Sequence, residues 1–196
     1  MSRGRRGLHQ AFALALVVSL CLAGKPRQAY LRIHDTWTEH LKIYNNFGTV
    51  LLMDVTYLHP TFRRALAGER QRLLGSALTA DDHASFVVRM DRDDAVFHEV
   101  IFGADSNRRA GRRFGETDDG WRLRLVADGV DETLESVYQV RSPSTLQLGL
   151  YPQLDNWNAL WIARFRKTVE NPDSIILSVG SGLGNGQLHW QDLRLR

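Results

Sequence analysis

The chain has 196 residues, 43% of them hydrophobic and 24% charged, a balance that fits one folded domain with a real core and excludes extended disorder. Its formal net charge is +3, and Arg3, Arg5 and Arg6 account for all of it. Past residue 24 the chain carries 22 basic and 22 acidic residues, so no long-range field remains for nucleic acid despite a sequence pI of about 9.3.

The first 24 residues have three parts. A basic start is followed by an apolar run from Ala11 to Leu22, and then by the small residues Ala23 and Gly24. A run of this length is too short to span a bilayer as a helix, and it lacks the polar stripe of a buried amphipathic one. The pattern predicts an export signal over residues 1–24. Cys21 is the only cysteine, so the domain holds no internal disulfide. It closes Val18-Ser19-Leu20-Cys21, where a bacterial lipobox cysteine would be acylated, although Leu20 is larger than the small residue usual before it. Cleavage after Ala23 or Gly24, which would discard Cys21, stays open beside acylation.

Residues 25–36 read as a polar tether, and residues 37–196 as a single β-rich domain. Two strands are expected at 37–44 and 47–58, joined by Asn45-Asn46, the second apolar enough for a central position. Pro60 then opens a helix to Leu74, with Gly75 past its end. Phe62, Ala65, Leu66 and Leu73 form its apolar stripe, while Arg63, Arg64, Glu69, Arg70 and Arg72 are expected in water. Thr79 with Asp82 resembles a capping box and predicts one more turn of helix before Ser85.

From Ser85 the pattern is β: strands at 85–90, 95–102, 121–127, 132–141, 146–150, 160–165, 174–179 and 187–195. Trp121, Leu123 and Leu125 alternate with Arg122 and Arg124, as half-buried antiparallel strands do. Turn residues separate the strands at Asp91-Arg92-Asp93-Asp94, Asp118-Asp119-Gly120, Asp128-Gly129, Asn171-Pro172-Asp173 and Gly184-Asn185-Gly186. Many short strands at this spacing predict a mostly β fold, an antiparallel β-sandwich with a helical excursion near residues 60–83. Residues 103–117 form the longest loop.

No motif specifies a chemistry. Gly180, Gly182, Gly184 and Gly186 are spaced like a phosphate loop, but a strand rather than a helix follows, so a hairpin is expected. Asp91, Asp93 and Asp94 lack the glycine and glutamate of a calcium loop and read as a turn. The histidines past the signal are His34, His40, His59, His83, His98 and His189; none falls into a zinc-binding spacing. No G-x-S-x-G is present. No metal site, catalytic residue or cofactor is therefore assigned. Trp121 and Trp161 sit on the apolar phase of their strands and belong to the core. Trp157, in a polar loop at 151–158, is the surface-contact candidate.

Several short motifs together resemble uncharacterised bacterial envelope lipoproteins of a δ-proteobacterial type. They are a signal ending near a cysteine, Thr56-Tyr57-Leu58-His59-Pro60-Thr61-Phe62-Arg63, Gly120-Trp121-Arg122-Leu123, Leu150-Tyr151-Pro152 with Trp157, Gly182-Leu183-Gly184, and Leu188-His189-Trp190. The resemblance implies an envelope location and a β-sandwich domain, and it carries no particular activity over to this chain.

The expected function is non-catalytic: an exported binding or structural module, in the periplasm or attached to the outer membrane. Its expected partner is another envelope protein, with the membrane reached through lipid on Cys21 and no nucleic acid involved. A periplasmic hydrolase whose residues converge from separate strands, and an envelope inhibitor or immunity protein, are the alternatives. A histidine within reach of a serine or carboxylate in a cleft would favour the hydrolase.

Overall fold

The computed structural model describes residues 26–45, 48–106, 113–115, 120–154 and 159–193. Cys21, Trp157 and the segments 107–112 and 116–119 lie outside them. Helix α1 covers residues 26–37, and strands β1 (Thr38–Asn45) and β2 (Gly48–Tyr57) follow. Then come α2 (Pro60–Leu74), a 3-10 turn (Gly75–Ala77), α3 (Ala80–Val96) and β3 (Phe97–Asp105). The rest is β4 (Arg122–Ala127), β5 (Val130–Val140), α4 (Thr145–Leu150), β6 (Ala159–Arg166), β7 (Ile175–Ser181) and β8 (Gly184–Trp190).

The fold is mostly antiparallel β, as the alternation predicts. All eight strands join one sheet in the order β1-β2-β3-β6-β5-β4-β7-β8, with antiparallel neighbours throughout. The sheet bends until it is nearly barrel-shaped. Its two end strands meet through side chains: a Cβ placed on Gly184 would lie 2.6 Å from Ile43, and one on Gly186 2.5 Å from Leu41. Only glycine allows β8 this close to β1. Trp37, Trp121 and Trp190 are among the largest fully buried side chains, and Trp161 joins the same core.

Four local expectations are corrected. The polar stretch 25–36 is not a free tether: residues 26–37 are helical, and Tyr30, His34 and Trp37 are buried. Pro26 in the first turn and apolar or aromatic residues at 30, 33 and 37 are the helical signal there.

The helix after Thr79 is not one turn but the whole of α3, which absorbs the strand expected at 85–90 and the turn at 91–94. Thr79 accepts a hydrogen bond from the Asp82 amide at 3.1 Å, and Asp81 and Asp82 in the first turn suit the helix dipole. Those terms outweigh the β preference of Val87 and Val88.

Leu146–Leu150 is helical rather than extended, because Ser144 and Gln147 form a reciprocal capping box that starts α4. Within α2, Arg63 and Glu69 are not in water; each is only 4% exposed. The glycine series does form the expected β7–β8 hairpin, although Gly184-Asn185-Gly186 opens β8 instead of making the turn.

Candidate functional site

A cleft of about 250 Å³ lies where β2 hands over to α2. Leu58 still bonds across to β3, its amide donating to Glu99 O at 2.9 Å, and the chain then turns at His59. His59 caps α2: its Nδ1 accepts from the Thr61 amide at 3.2 Å, which leaves the proton of the neutral ring on Nε2. The ring lies flat against Trp37, with centroids 4.0 Å apart at an angle of 13°. Burial pushes its pKa down to about 4, with Lys167 and Arg64 acting the same way and Asp94 against them. It is therefore neutral near pH 7. The opposite wall comes from the connection between β6 and β7, with Lys167, Glu170, Asn171 and Pro172, and Tyr57 also lines the cleft.

Charges behind the cleft alternate in an unbroken chain. Lys167 Nζ lies 3.3 Å from Asp94 Oδ1 and donates to the Asp94 carbonyl. Asp94 Oδ1 is 3.4 Å from Arg63 Nε, and Arg63 in turn donates to Glu99 at 3.1 Å. Glu99 also accepts from Arg164 Nε at 3.0 Å, and Arg164 reaches Asp93 at 3.4 Å. Three cations thus face three carboxylates on α2, α3, β3, β6 and the connection beyond β6. Asp93 and Asp94 are thus paired with cations of their own chain. Among the described residues no group of three metal-binding side chains comes together.

Beneath the cleft, Tyr57 and His98 form a second polar pair. His98 Nε2 is 3.0 Å from the Val169 carbonyl, so that nitrogen donates, and Nδ1 accepts from the Tyr57 hydroxyl at 2.9 Å. Burial, helped by the charge of Lys167, lowers the His98 pKa to about 4, although Glu132 and the Val169 carbonyl pull the other way. Glu132 lies 3.6 Å from His98 Nε2, and its carboxylate is held by the Thr168 and Val169 amides at 2.7 and 2.9 Å. A neutral His98 makes this a polar contact, not an ion pair.

A third polar group lies under α1. His34 Nε2 donates to Gln153 Oε1 at 2.7 Å, and Gln153 Nε2 donates to Thr56 Oγ1 at 3.0 Å. Thr56 then donates to Thr38 at 2.8 Å, because Thr38 gives its own proton to the His34 carbonyl at 2.9 Å. This closed circuit fixes Gln153, next to the buried Leu154. Trp157 itself is outside the described residues.

No family model matches the chain, and no curated protein is similar to it. The site must be judged on its own chemistry.

The six histidines do not converge. His34 lies on α1, His59 and His98 each lie beside Tyr57 without a bond between them, and His83 is half-buried on α3. His40 sits on the outside of β1, 2.6 Å from Asp54, and His189 is exposed on β8. Among the described residues no hydrogen bond joins a histidine to a serine, and the buried carboxylate nearest His98 is committed to two backbone amides. Sequence reasoning missed Arg63, Glu99 and Lys167. Their only signal is an odd one: Glu99 follows His98 directly at the head of the apolar run Val100–Gly103, and the whole stretch is buried. A lone carboxylate there needs a cationic partner.

Proposed function

We propose that the chain is an exported envelope protein whose domain serves as a non-catalytic binding or structural module. One observation carries the choice of binding over catalysis. In the cleft, Asp94 and Lys167 hold each other, and His59 is pinned between a helix cap and Trp37, so these groups are spent on holding shape. A hydrolytic base needs a lone pair aimed at a reacting atom, and His59 Nδ1 and His98 Nδ1 both already accept.

We further read the bent sheet as a flattened roll with two facing halves, the sandwich-like form. Tyr57 of β2 and Trp190 of β8 touch across the core, with ring centroids 5.9 Å apart. Such a module meets partners with the loops at its ends, here 151–158 with Trp157 and the β6–β7 connection at the cleft. A protein partner from the envelope fits this reading, and an inhibitor or immunity protein is its special case.

Two measurements test it. Fractionation of cells carrying wild type and Cys21→Ser checks the compartment: acylated protein moves from the detergent-extracted to the soluble fraction when Cys21 is lost. Wild type that is already soluble, starting at residue 24 or 25, rejects acylation and keeps export; protein retained in the cytoplasm rejects both. Crosslinking from a photoreactive residue at 157 should trap one discrete envelope protein. Turnover of esters or peptides by the purified chain, lost in His59→Ala, would overturn the module reading.

A further inference from the structure

The start of α1 is surrounded by a small basic surface. Arg27 on α1 donates both to Glu69 of α2 and to the Gly149 carbonyl of α4. Arg72, one turn further along α2, grips the same carboxylate with two hydrogen bonds, at 2.7 and 2.8 Å. Burial would raise the Glu69 pKa, but the bonds from Arg72 and Arg27 outweigh it and keep this acid ionised. Two guanidinium groups thus share one buried carboxylate. The carboxylate is hidden, with a side-chain exposure of 2%, while Arg27 and Arg72 remain 30% and 37% exposed, so the charge presented to solvent is positive.

Leu73 belongs to the same surface. It is one of the few large apolar side chains left in solvent, and a Cβ on Gly149 would touch it at 3.1 Å. The acidic residues Asp81 and Asp82 begin the next helix, past the turn at Gly75–Ala77, and Asp82 is bonded to Thr79.

What precedes this surface in the chain decides its partner. The apolar run from Ala11 ends at Leu22, and α1 begins at residue 26. Residues 22–25 separate Cys21 from the helix, and four residues fully extended reach about 14 Å. Any membrane holding the apolar run or a lipid on Cys21 is therefore within little more than a Debye length of Arg27 and Arg72, which is about 10 Å at 0.1 M salt.

We propose that the surface formed by Arg27, Arg72 and Leu73 docks on an anionic lipid bilayer, the one entered by the N-terminal segment. The proposal rests on the envelope reading above. Arginines beside an exposed leucine suit anionic headgroups over acyl chains. The docked helix α1 then acts as a rigid link that fixes which side of the domain faces the lipid, and the cleft and its loops are held in one orientation.

The test uses the full chain, purified in detergent from the membrane fraction with Cys21 intact and an environment-sensitive fluorescent amino acid in place of Leu73, reconstituted into vesicles carrying a headgroup quencher. A second protein carries the same label in place of Val130, the first residue of β5. In vesicles containing phosphatidylglycerol the label at 73 should be quenched severalfold more than the label at 130. That difference should shrink in phosphatidylcholine vesicles and at about 1 M salt, where the Debye length falls to about 3 Å. Arg72→Gln, which leaves Arg27 on Glu69, should reduce it in the same direction. Equal quenching at the two positions, or indifference to lipid charge and salt, overturns the proposal while leaving the anchor intact. Protein that fails to float with the vesicles overturns the anchor reading, and this proposal with it.

Discussion

The indole N–H of Trp190, on the last strand, donates to the main-chain carbonyl of Trp37, at the end of the first helix, across 3.0 Å. The two rings belong to one buried cluster, and the bond ties the final strand to the residue from which β1 begins. The nearly closed shape of the sheet is therefore fixed at two places: at this bond, and where the glycines of β8 lie under Leu41 and Ile43.

The glycine contact gives a sharp expectation. Gly184 has φ of +153° and no room for a Cβ beside Ile43, while Gly182, in the same hairpin, has open space around it. Gly184→Ala should destabilise the domain by about 1–3 kcal/mol through crowding and strain. Gly182→Ala should stay within about 0.5 kcal/mol of wild type, as surface changes do. Urea unfolding of both variants measures the difference, and equal midpoints would show that β1 and β8 do not close as described.

Acid should weaken the fold through its buried histidines. His98 titrates at about 4 in the fold against 6.5 ordinarily, so the unfolded chain binds its proton first as the pH falls. Stability from a neutral His98 is complete above pH 6.5 and drains away down to about pH 4. By pH 5 the loss amounts to about 2 kcal/mol. His59, also lowered to about 4, adds to the same trend. Denaturant unfolding at pH 7.5 and pH 5 should show the drop, and His98→Gln should flatten it even if that variant is weaker at pH 7.5.

The alternating charges at α2 and β3 predict non-additive mutations. Arg63→Met takes one of two cations from the half-buried Asp94, which keeps Lys167, and from the buried Glu99, which keeps Arg164, and should cost about 1–3 kcal/mol. Adding Glu99→Gln to it should recover part of that loss, because the buried charge that lost a partner is gone, although Arg164 then turns to water. A double-mutant cycle reads the coupling. Additive losses would mean that Arg63 acts mainly by packing its stem.

How far the sequence could be read follows from which forces are local. β4 and β5 were legible because Trp121, Leu123 and Leu125 alternate with arginines, and because Asp128-Gly129 supplies the turn; both residues have positive φ, 46° and 84°. α2 was legible from Pro60 and Gly75. Helix α3 was hidden because Ser85–Met90 is rich in β-formers and only Met90 of the whole helix is buried, so no apolar stripe announces it. Helix α1 was hidden by the polarity of Arg27, Gln28, Arg32 and Asp35 around a narrow buried face. The ion chain was out of reach for a different reason: Arg63, Asp94, Glu99 and Lys167 meet only once β3 lies between β2 and β6, which no local pattern encodes. Strand order has the same character. The jump from β3 to β6 skips two strands and a helix.

That jump sets a problem for a chain while it is being made. Strand β3 is buried from His98 to Gly103, so it is a sticky ribbon with a partner, β2, on one side only until β6 emerges. An apolar strand with an open edge invites pairing with other chains. The ion pair from Arg63 of α2 to Glu99 of β3 can form before β6 brings Arg164 to the same carboxylate. A chain truncated after β5 would keep the open edge of β3 and should aggregate more readily than the complete chain.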